Sequence, residues 1–183
     1  MNINDNNNNG YEIKMDGEFH TFEGGAIRYT KTGKGRFDLI PEQVVVDVVS
    51  KIDDYLKCKH CGVFKSFADF KTSCIISIYE GYYVYTILDI VVLEYIKQIE
   101  NLDEETLLIA FIRMLRDLAI HYEKGADKYG EGNWKKGIPP SSFRDSAIRH
   151  LSQYLTGETD EPHAISSIWN MFGLIWTGEF KNF

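Results

Sequence analysis

The side chains best suited to chemistry in this 183-residue chain crowd into its C-terminal third, from Glu123 to Asn170. Carboxylates, amines, guanidinium groups, imidazoles and an amide recur there at helical spacing. Such groups are costly to bury unless paired or bound to a ligand. The stretch is therefore either an ion-pair network or a site. Glu123 and Asp127 stand four residues apart and share one helix face. Two carboxylates so placed repel unless a cation lies between them, and Mg²⁺ suits, because it takes oxygen ligands and keeps several waters. The plainer account is a solvated face paired with Lys124 and Lys128. Asp145, Arg149 and His150 follow on a second helix. Arg149 has the forked shape that grips phosphate, and His150 can bond a phosphate or base, or carry a proton. An intrahelical Asp145–Arg149 pair explains the same residues without a ligand. Glu158, Asp160, Glu161 and His163 gather at a third helix start, where acids simply complement the dipole or hold a metal. His163, Ser166, Ser167 and Asn170 continue as a polar stripe on a helix otherwise built of Ile165, Ile168, Trp169, Phe172 and Leu174. That contrast points to an inward polar pocket.

A second cationic feature lies far upstream. Residues 24–36, GGAIRYTKTGKGR, set Arg28, Lys31, Lys34 and Arg36 among glycines. Glycine lets backbone N–H groups approach an anion closely, so this is a candidate phosphate cradle, with a plain surface loop as the competing account. It fits neither the Walker nor the Rossmann pattern. Cys58-Lys-His-Cys61 is half of a zinc site, but only Cys74, His60 and His20 lie near enough in sequence to complete it. Reduced thiols, not zinc, are expected. No Gly-x-Ser-x-Gly or Cys/His nucleophile signature is present.

The elements that must hold these groups are predicted to be mainly helical. An Asn-rich tail, residues 1–10, is expected to be disordered, and residues 11–23 form a short strand or an irregular arm. Helices are predicted at about 42–56, 88–100, 104–129, 142–155 and 162–176, from apolar residues at helical spacing. Asp103 is the expected N-cap of the 104–129 helix, and Ser141 or Ser142 that of the next. The apolar stripe of the long helix is read as Leu107, Leu108, Phe111, Ile112, Leu115, Leu118, Ala119 and Tyr122. Residues 74–87, CIISIYEGYYVYTI, fit both a β-hairpin and a helix. The fold class is thus a helical bundle with an inserted middle segment, with one domain over 24–183 interrupted at about 57–103.

Apolar residues make up 44% of the chain and the formal net charge is −7. A core is affordable, and broad non-specific nucleic-acid binding is disfavoured. Three cysteines make no disulfide framework, so a reducing cytoplasm is expected. No signal peptide or membrane span is visible, since Glu80, Asp89 and Glu94 interrupt the longest apolar run.

Two blocks carry a resemblance to a known family. GGAIRYTKTGKGRFDLIP and EKGADKYGEGNWKKGIPPSSFRDSAIRHLSQYLTGETDEPHAISSIWN resemble the motifs of a phage-associated family described as dATP/dGTP diphosphohydrolase, N-terminal domain. The resemblance covers about residues 24–41 and 119–177. It implies a fold akin to the all-α nucleotide pyrophosphatases. It also implies Mg²⁺-dependent (or Mn²⁺-dependent) cleavage of a purine deoxynucleoside triphosphate to monophosphate and pyrophosphate. On this reading Glu123, Asp127, Asp145 and Glu158 hold metal. Asp145, His150, His163 and Asn170 serve the reaction, and Arg28, Lys34, Arg36, Lys128, Asn133, Trp134 and Arg149 bind the nucleotide. A homo-oligomer is also implied. The chain departs from the family in the long stretch between the two blocks, and in lacking the paired Glu-x-x-Glu and Glu-x-x-Asp motifs of all-α pyrophosphatases. Two other readings stand beside it: a phage protein that sequesters or senses a nucleotide without turnover, and an interaction module that meets a protein partner through residues 57–100.

Overall fold

The computed structural model describes residues 19–21, 23, 24, 27–29, 33–57, 67–96 and 102–178. The Asn-rich tail and the Cys58–Cys61 motif lie outside them. Two compact units divide the chain, Met1–Thr32 and Gly33–Phe183. In the first, strand β1 (Phe19–Thr21) runs antiparallel to β2 (Ile27–Tyr29), with His20 opposite Arg28.

The second unit is all helical among its described residues: α1 (Glu42–Ser50), α2 (Ile52–Lys57), α3 (Phe67–Glu80), α4 (Tyr83–Tyr95), α5 (Glu104–Tyr129), α6 (Pro140–Thr156) and α7 (His163–Trp176). The mainly α class is as predicted. The single helix expected over 42–56 is broken at Lys51, whose amide bonds back to Val48 at 3.1 Å. The β-branched run that precedes it weakens helix propagation.

Residues 74–87 resolve as helix, not hairpin. Gly81, at φ +85°, ends α3 rather than turning two strands. The Tyr82 N–H bonds to Ser77 C=O at 2.8 Å and the Gly81 N–H to Ile78 C=O at 3.3 Å, which is the Schellman pattern of a helix C-terminus. The β-forming composition of α4 reflects burial on every side. Tyr83, Val84, Ile87, Leu88, Ile90, Val91 and Val92 are all core residues, and a helix apolar all round sits inside a protein. It packs on α1, α3, α5 and α7. The segment read as an insertion therefore supplies the centre of the core.

Asp103 caps α5 as predicted, accepting from the Thr106 N–H at 2.7 Å. Leu107, Phe111, Leu118, Ala119 and Tyr122 of its expected stripe are buried, but Leu108 and Ile112 are 38% and 56% exposed, because Ala110 and Met114 take the inner face instead. The α6 helix opens on Pro139-Pro140 with no side-chain cap. Proline at the first helical position needs no N–H partner, and Ser141 and Ser142 fall inside the helix. The α6–α7 pair is a tight antiparallel hairpin. Its connection starts at Gly157, φ +85°, where another Schellman pair, Gly157 N–H to Tyr154 and Glu158 N–H to Gln153, delivers the acidic turn 158–161. No described helix is long and apolar enough to cross a membrane.

Candidate functional site

The glycine loop does cradle an anion, and the anion is the protein's own. The Gly33 N–H donates to Glu123 Oε1 at 2.8 Å and the Gly35 N–H to Oε2 at 2.9 Å. The Arg36 N–H bonds to Ala119 C=O at 3.0 Å. Gly35 has φ +84°, and a Cβ there would fall 2.9 Å from the Ala119 Cβ. Only glycine meets both demands. Glu123, buried on α5, thus clamps the loop. Arg36 grips Asp38 with two bonds of 2.8 and 2.6 Å and Glu131 with one of 2.6 Å, and these partners raise its pKa. Its fork is committed within the chain. Glu123→Gln should destabilise the fold by about 1.5–3 kcal/mol, the worth of a hydrogen bond to a charged group. Its amide would face the Gly35 N–H with a donor. A thermal melt checks this, and an unchanged midpoint would count against the clamp.

Three cavities border helix α5. A polar cleft of about 440 Å³ lies among α5, α6 and α7, lined by Lys124, Lys128, His150, Glu161, Ser166 and Asn170. It shares His121, Gly125, Tyr129 and Trp169 with an aromatic pocket of about 310 Å³, which adds Tyr122, Asn133 and Trp134. A groove of about 650 Å³ continues past Lys124 and Glu161 to Glu158, Asp160 and His163. His121 borders all three. Burial lowers its pKa, His150 and Lys124 push the same way, and Glu161 pulls back. The sequence reading missed His121, which sits between Ile120 and Tyr122 in a long apolar-striped helix. A single imidazole in such a stripe was the only signal.

The polar stripe of α7 divides its labour. The Ser167 hydroxyl donates to Ala147 C=O at 2.9 Å and ties α7 to α6, while Asn170 Nδ2 donates to Ser166 C=O at 2.8 Å and lies on the cleft wall. His163 meets His150 across the hairpin, Nδ1 to Nδ1, at 3.1 Å. Glu161 Oε1 lies 3.0 Å from His150 Nδ1 and 3.4 Å from His163 Nδ1. Arg149 Nη2 is 3.1 Å from His150 Nε2. Arginine only donates, so that nitrogen accepts and a neutral His150 carries its proton on Nδ1. His163 Nε2 donates to Asp160 Oδ1 at 2.8 Å, which leaves its Nδ1 lone pair facing His150.

Burial lowers the pKa of His150, aided by Arg149 and opposed by Glu161. Both His121 and His150 therefore bind protons less readily in the fold than in the unfolded chain. Below the ordinary histidine pKa of about 6.5 the unfolded chain takes up more protons, so stability falls as pH falls. The melting midpoint should drop steadily from about pH 6.5 to 5, and a flat profile would contradict this placement of the two imidazoles.

The remaining expected residues lie as follows. Asn133 and Trp134 line the aromatic pocket, with Trp134 packed edge-on to Trp176 at 5.0 Å. Lys128 lines the polar cleft, its Nζ 4.9 Å from the Tyr129 ring centre. Glu158 accepts from Gln153 at 2.9 Å beside Asp160 and His163. Asp127 and Asp145 are exposed and line none of the three cavities. Lys34 is exposed in the loop, and Arg28 sits on β2 of the first unit, its side chain outside the described part. Among the described residues, Glu123, Asp127 and Asp145 do not meet in one cluster of ligand atoms. Among the described residues, the ligating groups that do meet are His150 with Glu161 and His163, and Glu158 with Asp160 and His163.

No curated protein and no solved structure matches the chain. Residues 97–182, which hold all three helices that wall the cleft, match the family model described as dATP/dGTP diphosphohydrolase, N-terminal, and that match supports the family its motif blocks resemble.

Proposed function

We propose that the chain hydrolyses a purine deoxynucleoside triphosphate, of the dATP or dGTP kind, to monophosphate and pyrophosphate. The observation that carries this is a pair of adjoining hollows with different chemistries: an aromatic pocket and a cleft bearing Lys124 and Lys128 share the wall His121–Gly125–Tyr129–Trp169. A nucleotide has the same division, a flat base joined to a polyanion. Trp169 and Tyr129 would flank the base and Asn133 would meet its polar edge. Lys124 and Lys128 would neutralise phosphates. His121, kept uncharged by burial, would take the proton of the attacking water.

The family implies a divalent ion, expected as Mg²⁺ or Mn²⁺ with the triphosphate. The Glu123 oxygens both accept loop amides, so Glu123 fits poorly as a ligand. The exposed carboxylates on the acidic groove, Glu158 among them, offer the oxygen donors that such an ion takes. When bound, the ion would neutralise phosphoryl charge and polarise a phosphoryl oxygen. A cytoplasmic, homo-oligomeric protein remains part of this proposal.

Incubation of the purified chain with each dNTP and Mg²⁺ or Mn²⁺, followed by pyrophosphate detection, tests the reading. Release from dATP and dGTP in excess of dCTP and dTTP is expected. Tight purine nucleotide binding with no release would favour the sequestering protein, and neither binding nor release would end both.

A further inference from the structure

We propose that His150, Glu161 and His163 form a resident binding site for a transition ion of the zinc or cobalt type, distinct from the ion that accompanies a triphosphate. Three ligand atoms converge there, and their separations are 3.1 Å (Nδ1 to Nδ1), 3.0 Å and 3.4 Å (each Nδ1 to Oε1). Metal–nitrogen and metal–oxygen bonds of about 2.0–2.2 Å set ligand–ligand edges of about 3.0 Å at right angles and about 3.4 Å at tetrahedral angles. The triangle matches one face of such a polyhedron and leaves its other corners to solvent.

The outer contacts agree. Asp160 receives the Nε2–H of His163 at 2.8 Å, which fixes the ring and aims the Nδ1 lone pair at the triangle, the carboxylate–histidine–metal arrangement. His163 is only 2% exposed and His150 8%, so a pair of imidazoles has been carried into the α6–α7 joint, where two aliphatic side chains would pack at lower cost. The donor set also chooses the ion. Two imidazoles and one carboxylate favour zinc, cobalt or nickel over magnesium, which prefers oxygen alone. Arg149 is the counterweight. It donates to His150 Nε2 and so keeps the proton on Nδ1. An ion takes the place of that proton, which moves to Nε2, and the Arg149 bond to that nitrogen is given up.

The site stands apart from hydrolysis and is tested without it. Metal-stripped full-length chain, with Cys58 and Cys61 replaced by serine to remove the other candidate ligands, is titrated with Co²⁺ and followed by calorimetry and visible absorption. One Co²⁺ per chain is expected, with the weak ligand-field bands of nitrogen and oxygen donors. Asp160→Asn should weaken uptake about 10–100-fold, as loss of an outer-shell partner does, and Glu161→Gln should weaken it at least as much. Both side chains are exposed, so the variants are expected to fold, which circular dichroism checks. Absence of stoichiometric uptake, uptake unchanged in Glu161→Gln, or displacement of Co²⁺ by equimolar Mg²⁺ would overturn the site. Pyrophosphate release without Co²⁺ uptake removes the site and leaves the proposed activity. Uptake without release does the reverse.

Discussion

Replacing His121 by glutamine should lower kcat on dATP or dGTP by about 10²–10⁴-fold, the contribution of a positioned general base, with KM changed much less. The argument rests on place and charge together. His121 is the residue common to the aromatic pocket, the polar cleft and the acidic groove, so a nucleotide lying along them passes it. Its ring lies 6.1 Å from that of Trp169, which fixes it on the α5 side of the hollow. Burial holds its pKa below the ordinary histidine value, so at neutral pH it presents a lone pair. The wild-type rate should therefore rise with pH through that depressed value and reach a plateau before neutrality. The variant should lose this limb along with the rate. A variant that kept both the limb and activity within a few-fold of wild type would assign the base elsewhere.

The second large effect concerns the α6–α7 joint. Phe143→Ala should destabilise the protein by about 3–5 kcal/mol, the range for a deleted core phenylalanine, which corresponds to a fall of roughly 6–20 °C in the melting midpoint. Phe143 is buried and sits against Gly173, where an added Cβ would lie 2.5 Å from Cε1 of the ring. It also packs on Trp169 at 5.8 Å between ring centres. Gly173→Ala attacks the same contact from the other side and should cost about 1–3 kcal/mol through overpacking. Combining it with Phe143→Leu, which withdraws the ring, should give a loss smaller than the sum. Strict additivity in that double variant would mean that the two residues do not share this contact. The joint matters for the site, because the same helix pair sets His150 against His163.

Much of this was legible in the sequence, and the failures have physical causes. The long helix from Glu104, its Asp103 cap and the two following helices were readable, since their polar and apolar faces differ. The Ser166–Asn170 stripe was readable as a pocket wall for the same reason. The α4 helix was not, because a helix buried all round loses the periodic contrast that marks a helix, and its valines and tyrosines imitate a strand. Gly81 deepened the ambiguity, since a helix C-terminus and a hairpin turn ask for the same residue. At the site, spacing along α5 grouped Glu123 with Asp127 as metal ligands. Tertiary structure also sets Glu123 against the loop amides of Gly33 and Gly35, a pairing across ninety residues of sequence that no local pattern encodes. The meeting of His150, Glu161 and His163 depends on the sharp return after Gly157, so it too appears only once the hairpin closes.

The clamp between Glu123 and the glycine loop also governs how this part of the molecule comes apart. Letting go of one amide would leave a buried carboxylate oxygen without its partner, at a cost of about 1–3 kcal/mol. Gradual peeling of residues 33–36 is therefore disfavoured. That edge either stays shut or detaches together with the adjoining turn of α5 as one cooperative unit, and the wall that bears His121 and Lys124 loses its support at the same moment.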